Sequence, residues 1–414
     1  MWRGRVRYFS TSTLSSPKEL IASRLQVEHP VTEAITGLDL VEWQLRVAAG
    51  QPLPKQQAEL SINGHAIEAR VYAENPEKGF LPSIGTLRHM DVPSHVAFEL
   101  GGSVANGVGH PAGVRIDSGV REGDAISPFY DPMIAKLIVW GADRAQALAR
   151  MAQALSEFHI VGLATNIAFL KRLVEGDAFA HADLDTGLIE RNNATLFPPA
   201  APAPAGVLAL AALALLDSEQ TFAANARNPA DPWAHAHGWR MNGTYRRQLA
   251  FADEYAATLD ARAYRVGLTY QPHGWVLDLD GKAHPLALVS RQDGRYAIRF
   301  DGSALQGTVR REGEVLHVFS GGQHHALTWN DPMAHAGDTE AAGGRLTAPM
   351  PGKVVAVIAA KGQTVKKGEP LVIMEAMKME HTIAAPSDGL VEEILYQVGD
   401  QVSDGAPLLA FTAS

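Results

Sequence analysis

The sequence predicts a multidomain protein that joins an α/β unit to two all-β units, the first of which contains a helix. Three observations carry this prediction: a 37-residue internal repeat near the C-terminus, a series of turn dipeptides between strand-like runs in the middle, and mixed strand and helix patterns in the first half. A chain of 414 residues is long enough for two to four domains. The apolar fraction of 46% is ample for packed cores.

We expect five regions along the chain. They are a basic N-terminal extension over 1–22, an α/β unit over 23–193, a helix-and-barrel unit over 194–335, a linker over 336–344 and a small β-sandwich over 345–414.

Composition excludes several classes of protein. The net charge of −9 argues against nucleic-acid binding, and the absence of cysteine excludes disulfides and zinc–thiolate sites. The longest apolar run, 206–216, is too short to span a membrane and predicts a buried helix that ends at Asp217. The sequence therefore predicts an intracellular, soluble protein.

The first 18 residues carry four basic residues and no acidic residue, and they are rich in Ser and Thr. This composition is typical of a mitochondrial transit peptide, which would place the protein in the mitochondrial matrix. The alternative is an artefactual start joined to a longer parent sequence, and the Ala-rich body then favours a bacterial cytoplasmic protein.

The segment from Arg24 to Pro30 alternates polar and apolar residues. As a strand it would place Arg24, Gln26 and Glu28 on one face, where a basic, an amide and an acidic group could bind a small anion beside a general base. A strand with a solvated face has the same pattern. An amphipathic helix is predicted over 39–49, ended by Gly50 and Pro52.

The middle of the chain predicts an antiparallel barrel beside the apolar helix. Strand-like runs over 264–270, 275–279, 296–300 and 315–320 alternate with turn dipeptides at 280–281, 293–294, 301–302 and 312–313. Two histidine pairs, at 235 and 237 and at 324 and 325, have no third ligand in the pattern. We interpret them as surface histidines and predict no metal site.

The repeat predicts a quasi-twofold sandwich. Seven residue pairs recur at an offset of 37, from Pro349 with Pro386 to Leu371 with Leu408. The symmetry places Lys378 at a hairpin tip between the two copies. Met377 and Met379 flank it where turn chemistry would favour Gly, Asn or Asp, which suggests a surface read by another protein.

These residues resemble the acceptor motif of biotin carboxyl carrier domains, and the repeat resembles the biotinyl/lipoyl fold. The resemblance implies covalent biotin on Lys378 and recognition of Met377 and Met379 by a biotin protein ligase. A lipoyl domain is the closest rival. There an Asp commonly precedes the modified lysine, whereas Met377 stands here.

The first half resembles biotin carboxylase, namely the end of its ATP-grasp domain and its C-terminal domain. The matching stretches are 24–30, 64–70, 80–83, 130–137 and 161–166. The resemblance implies that Glu28 deprotonates bicarbonate, that Arg24, Gln26 and the backbone of Val27 bind it, and that Arg70 stabilises the enolate form of biotin. Glu68, Arg70 and Tyr72 would share one strand face.

The chain also departs from this family. Leu20 and Ala22 stand where the family has residues that help hold magnesium and the nucleotide, and no Gly-rich phosphate loop precedes them. We therefore expect a truncated subunit in which binding of ATP and magnesium, and autonomous activity, are doubtful.

The order of the pieces resembles the biotin-containing alpha subunits of acyl-CoA carboxylases, which are ligases, and within them the branch that acts on 3-methylcrotonoyl-CoA. The resemblance implies a hetero-oligomer with a carboxyltransferase beta subunit, to which the carrier delivers a carboxyl group taken from bicarbonate with ATP. The alternatives are a propionyl-CoA or other acyl-CoA carboxylase subunit, and a non-catalytic biotinylated carrier and interaction module.

Overall fold

The computed structural model describes most of the chain in three units, each with its own hydrophobic core. The described residues are 25–95, 113–127, 130–199, 201–226, 238, 240–253, 264–271, 274–329, 344–348, 352–376, 379–385, 387–402 and 406–413. The mixed α/β and all-β class predicted from the sequence is confirmed. The predicted extension over 1–22 and most of the predicted linker lie outside the described residues.

The first unit is built on a three-stranded antiparallel sheet in the order β1–β8–β6. Its strands are β1 His65–Tyr72, β2 Glu74–Asn75, β3 Leu81–Pro82, β4 Gly85–Thr86, β5 His89–Asp91, β6 Val114–Ser118, β7 Ala125–Ile126, β8 Met133–Gly141 and β9 His159–Val161. Its helices are α1 His29–Thr36, α2 Leu40–Ala48, α3 Arg144–Ser156, α4 Ile167–Glu175, α5 Asp177–Ala180, α6 Leu188–Arg191 and α7 Asn193–Leu196. β8 is the central strand and is almost fully buried, while α3 packs against the sheet.

The strand predicted over the segment up to Pro30 is wrong. Residues 25–28 form no strand, and α1 begins at His29 with Pro30 in its first turn. Proline fits that position because its fixed φ suits a helix and the first N–H groups of a helix need no intrahelical partner. The proline that was interpreted as the end of a strand therefore helps to start a helix. The helix predicted over 39–49 is confirmed as α2, which is capped by the Asp39 side chain.

The second unit is a closed eight-stranded antiparallel barrel around a helix. Its helix is α8 Ala205–Ala226, and its strands are β10 Arg246–Ala252, β11 Tyr264–Gln271, β12 Gly274–Leu279, β13 Lys282–Gln292, β14 Arg295–Phe300, β15 Ser303–Glu312, β16 Val315–Ser320 and β17 Gln323–Trp329. Residues 207–213 of α8 are buried on every face and share one core with residues of all eight strands. A helix that is apolar all round can be stable only when it is enclosed in this way.

The turns of the barrel have the predicted chemistry. Asp280, Asp293 and Asp301 have φ values of 51°, 47° and 51°, and the glycine after each also has positive φ. This is the backbone of two-residue hairpin turns, whose twist matches that of the flanking strands. The predicted end of the helix at Asp217 is wrong, because α8 continues to Ala226.

The third unit is a sandwich of two four-stranded sheets in the orders β18–β25–β23–β20 and β22–β21–β19–β24. Its strands are β18 Gly344–Thr347, β19 Gly352–Val357, β20 Thr364–Val365, β21 Pro370–Ala376, β22 Met379–Ala384, β23 Gly389–Ile394, β24 Gln401–Val402 and β25 Pro407–Ala413. β19, β20 and β21 recur as β23, β24 and β25 at an offset of 37 residues, and each sheet contains the counterparts of the other. The predicted quasi-twofold sandwich is thus confirmed.

The strand register separates two poles of the sandwich. Lys353 of β19 pairs with Glu375, so the last residues of β21 lie beside the first residues of β19. Thr347, at the end of β18, precedes β19 by only five residues and pairs with Pro407. Gly344 and Phe411 pair at the other end of β18. The chain therefore enters the sandwich at the pole opposite to the β21–β22 connection.

The first and second units meet through side chains of β4–β5, β9 and β14–β17. Arg88 forms an ion pair with Glu312, and Asp91 accepts a hydrogen bond from Arg295 at 2.8 Å. The rings of His159 and Phe319 stack with centroids 4.3 Å apart. The junction is polar and aromatic rather than aliphatic, which makes it sensitive to the charge of its histidines.

Within the described ranges, no helix is both long enough and apolar enough to span a membrane.

Candidate functional site

The predicted anion-binding segment lies at the N-terminus of α1, above the sheet face of β1 and β8. His29 N–H donates to the Gln26 carbonyl at 3.2 Å, and Glu28 is the N-cap residue of α1. Gln26 and Val27 are exposed, Val27 by 42%. Pro30 has no N–H group and the Val31 N–H donates to the Glu28 carbonyl at 3.0 Å, so the first three residues of α1 offer no free backbone N–H group to an anion. Arg24 lies outside the described residues.

Arg70 and Glu28, predicted from separate motifs, are in direct contact. Arg70 Nη2 donates to Glu28 Oε1 at 2.9 Å, although the residues are 42 positions apart. The Glu28 side chain is 13% exposed and that of Arg70 is 29% exposed. A partly buried, charge-assisted hydrogen bond of this kind fixes the two side chains relative to each other. We refer to Gln26, Val27, Glu28 and Arg70 together as the pocket of the first unit.

Glu68 lies on the same face of β1 as Arg70, as predicted, and also belongs to the site. Its Oε1 is 3.6 Å from Arg70 Nε, and its side chain is only 5% exposed. Burial raises the pKa of the Glu68 carboxyl to about 7, and the nearby Glu28 carboxylate adds to this rise, while Lys136 and Arg70 oppose it. Sequence reasoning placed Glu68 on this face without assigning it a role.

The sequence analysis missed a charged layer beneath these residues. Lys136 pairs with Arg70 across β1 and β8, and its Nζ lies 3.4 Å from the Val27 carbonyl and 3.4 Å from Asp117 Oδ2. Arg115 donates to Asp117 and, at 2.8 Å, to the buried Glu33 of α1. These contacts hold α1 on the sheet. The pairing register that creates them is not visible in a single sequence.

Asn166, the N-cap residue of α4, holds β1 in place behind the site. Its Oδ1 accepts from the Tyr72 N–H at 2.9 Å, and its Nδ2 donates to the Arg70 carbonyl and to Glu74 Oε1, both at 3.1 Å. The side chain is 4% exposed. It therefore fixes the β1 backbone directly after the Arg70 side chain, on both sides of Val71. Asn166 is the last residue of the family-like stretch 161–166, and this match was the only feature of the sequence that could have identified it as part of the site.

The predicted lysine at the hairpin belongs to the third unit. β21 ends at Ala376 and β22 begins at Met379, and these two residues pair with each other. The two residues between them in the sequence are Met377 and Lys378, which lie outside the described residues, as does the Met379 side chain.

The histidine pair that the structure describes is not part of a metal site. His235 and His237 lie outside the described residues. His324 is exposed, stacks on Phe319 and lies 3.0 Å from His317, while His325 is half-buried. Among the described residues no three side chains of metal-binding type come together.

Family models match each unit of the chain. Residues 68–191 match the biotin carboxylase C-terminal domain, and residues 19–56 match the carbamoyl-phosphate synthase L chain, ATP binding domain. Residues 204–332 match the methylcrotonyl-CoA carboxylase alpha-subunit BT domain, and residues 344–411 match the biotin-requiring enzyme model.

Curated relatives match nearly the whole chain. The mitochondrial methylcrotonoyl-CoA carboxylase subunit alpha of Dictyostelium discoideum is 39% identical over 92% of this chain and 53% of its own length. This chain is a homologue of the alpha subunits of the acyl-CoA carboxylases. The corresponding subunit of Glycine max is 35% identical over 94% of the chain and 55% of its own length. The human mitochondrial propionyl-CoA carboxylase alpha chain is 34% identical over 92% and 51%.

The chain spans about half the length of these acyl-CoA carboxylase subunits. The predictions of the family and of its fold are confirmed by these matches.

Proposed function

We propose that this chain is the biotin-carrying subunit of a biotin-dependent acyl-CoA carboxylase, and that 3-methylcrotonoyl-CoA is the substrate of the whole enzyme. The observation that carries the proposal is the two-residue connection between β21 and β22, which leaves Met377 and Lys378 between paired strands in a unit that matches the biotin-requiring enzyme model. Residues 377–379 would form the surface that a biotin protein ligase reads.

Biotin bound to Lys378 would supply a mobile ureido group able to carry a carboxyl group between two sites. Ala376 and Met379 pair with each other, so the two-residue connection that contains Lys378 is joined to a paired strand on each side. The flanking methionines add an adaptable apolar surface, which suits recognition by an enzyme.

The pocket in the first unit supports a bicarbonate site. Glu28 would act as the base, and Gln26, the Val27 backbone and Arg24 would bind the anion. Arg70 would stabilise negative charge on the ureido oxygen, because a guanidinium fixed in a partly buried pocket suits a developing oxyanion. Leu20 and Ala22 offer no ligand for magnesium at the positions where the family has residues that help to hold it.

Biotinylation is tested by the intact mass of the chain isolated from its own cells. The mass should exceed that of the sequence by one biotin, and the adduct should map to Lys378. Lys378→Arg should abolish the adduct, whereas Lys361→Arg, at an exposed turn of the same unit, should leave it in place. An adduct that survives in the Lys378 variant, or a lipoyl adduct, would refute the assignment.

A carrier without catalysis is the second candidate, favoured by the short match of residues 19–56 to the ATP-binding model. Bicarbonate-dependent ATP cleavage by the purified chain would contradict this candidate. Carboxyl transfer from a free-standing biotin carboxylase to the chain, without such cleavage, would support it.

The partner in either case would be a carboxyltransferase beta subunit, which the barrel unit would bind. Co-purification with such a subunit, followed by carboxylation assays with 3-methylcrotonoyl-CoA and propionyl-CoA, would separate the two branches of the family. The mitochondrial names of the matched relatives support a matrix location.

A further inference from the structure

Glu68 is the least satisfied carboxyl group in the first unit. One of its oxygens, Oε2, is buried and has no hydrogen-bond partner among the described residues, and the other is 3.6 Å from Arg70 Nε. Arg70 therefore lies between two carboxyl groups, Glu28 at 2.9 Å and Glu68 at the longer distance. A buried, unpartnered carboxylate is costly, whereas a protonated carboxyl in the same place costs much less.

The charges around Glu68 also favour its protonated form. Glu68 belongs to a charged network whose members come from β1, β6, β8, α1 and the residue before α1. Four are carboxyl groups, Glu28, Glu33, Glu68 and Asp117, and three are cations, Arg70, Arg115 and Lys136. Because the carboxyl groups outnumber the cations by one, the cluster is neutral when one carboxyl carries a proton.

The distances indicate which carboxyl carries that proton. Glu33 and Asp117 accept hydrogen bonds of 2.7–2.9 Å from Arg115. Although burial raises the pKa of Asp117, its bonds to Arg115 and the charges of Arg115 and Lys136 hold that pKa below its usual value. Glu28 has its own short bond to Arg70. Glu68 is the member left without a close partner.

We propose that Glu68 is a positioning residue that shares Arg70 with Glu28 and, by gaining or losing its own proton, sets the charge of the pocket that would bind bicarbonate. This inference rests on the proposed function of that pocket. When Glu68 is neutral, Arg70 is held by Glu28 and the pocket favours an anion. When Glu68 is ionised, it competes with Glu28 for Arg70, and its negative charge weakens anion binding.

The protonation of Glu68 is tested by infrared difference spectroscopy of the full chain between pH 5.5 and 8.5. The carbonyl stretch of a buried, protonated carboxyl should disappear with a midpoint near 7, and Glu68→Gln should remove that band. Burial also raises the pKa of Glu74, so Glu74→Gln is the matched control, and it should remove a different band. If Glu68→Gln removes no band, the proposal is overturned, whatever the function of the pocket.

The coupling through Arg70 is tested in the same spectra. Glu28→Gln removes a neighbouring negative charge and should lower the midpoint of the Glu68 band, while Arg70→Gln should raise it. A midpoint that is the same in both variants would mean that Glu68 does not act through Arg70. These variants keep the test open even if Glu68→Gln fails to fold.

The effect on the pocket is measured with carbon-13 bicarbonate by NMR binding titrations. The affinity of the Glu68→Gln chain, divided by that of the unsubstituted chain at the same pH, should be near one at pH 6 and about tenfold at pH 8.5. The ratio cancels the titration of bicarbonate itself, and the Glu74→Gln ratio should not change with pH. A ratio for Glu68→Gln that is equally constant would indicate a merely structural role and overturn the proposal. If no chain binds bicarbonate, the proposed function of the pocket fails, while the infrared result still decides the protonation and coupling of Glu68.

Discussion

Asn166 shows how one buried amide can determine the position of a side chain on a strand 96 residues away in the sequence. Its hydrogen bonds hold the Arg70 carbonyl and the Tyr72 N–H, directly after the Arg70 side chain, and water cannot replace these bonds at a residue that is 4% exposed. The orientation of Arg70 towards Glu28 therefore depends on α4, an element that contributes no other group to the pocket.

Asn166→Ala should destabilise the first unit by roughly 3 kcal/mol, because it leaves the Tyr72 N–H and the Arg70 carbonyl buried without partners. Urea unfolding monitored by tryptophan fluorescence measures the loss. Asn193→Ala, at an exposed position in the same unit, is the control and should change the stability by less than about 0.5 kcal/mol. Equal effects of the two variants would contradict the role of Asn166.

At this scale the sequence identified Glu28 and Arg70 as candidates but not all of the residues that the structure places beside them. Glu28 and Arg70 were each recognised within a short motif, and their contact follows from the fold. Lys136 and Arg115 entered the site only through the pairing of β1 with β8 and of β8 with β6, which no local pattern encodes. The alternation before Pro30 was interpreted as a strand. So short an alternation also occurs in an irregular segment that leads into a helix.

Among the elements, α8 is distinguished by continuing beyond its apolar run. The sequence predicted an end at Asp217, yet the Tyr296 hydroxyl donates to Asp217 at 3.1 Å, and Arg247 donates two hydrogen bonds to Glu219. The polar residues that suggested the end of the helix are satisfied by the barrel wall. Tertiary partners thus override the local signal, and they cannot be identified before the barrel is known.

The helix also requires small residues in the wall that encloses it. A Cβ atom on Gly307 of β15 would lie 2.6 Å from Leu210 Cδ1 and 2.8 Å from the Phe319 carbonyl oxygen. Gly307→Ala should therefore destabilise the barrel by about 1–3 kcal/mol, measured by thermal unfolding. Gly243→Ala, where a Cβ would meet nothing within 4 Å, should be close to neutral. A neutral Gly307 variant would show that α8 can shift within the barrel.

For the whole molecule, the junction of the first two units contains histidines that are disfavoured as cations. Burial lowers the pKa of His159, and burial also lowers the pKa of His317. His159 Nδ1 is buried without a partner among the described residues, and its ring stacks on Phe319. Arg295, Arg88 and His89 add to the positive charge nearby, while Asp91 and Glu312 offset it.

The association of the two units should therefore weaken in acid. Because the folded-state pKa values lie below 6.5, the contribution of these histidines is fully present above pH 6.5 and is lost as the pH falls through the lowered values. Small-angle X-ray scattering between pH 8 and 5 should show the chain expanding, before either unit unfolds by circular dichroism.

Replacement of the histidines identifies the group responsible for this expansion. His159→Gln should reduce the dependence on pH. His65→Gln is the matched control, since burial lowers its pKa too but it lies beside Arg144, inside the first unit. A His65 variant that suppresses the expansion as strongly as the His159 variant would locate the effect inside the first unit instead.

The twofold symmetry of the sandwich has a consequence for the geometry of delivery. The β21–β22 connection corresponds under the 37-residue repeat to the pairing of β25 with β18, where the chain enters. The β21–β22 connection and the entry of the chain therefore lie at opposite poles of the sandwich. The length of the strands therefore separates the β21–β22 connection from the point where the chain enters, and shorter strands would reduce the distance over which the third unit can carry a group bound at that connection.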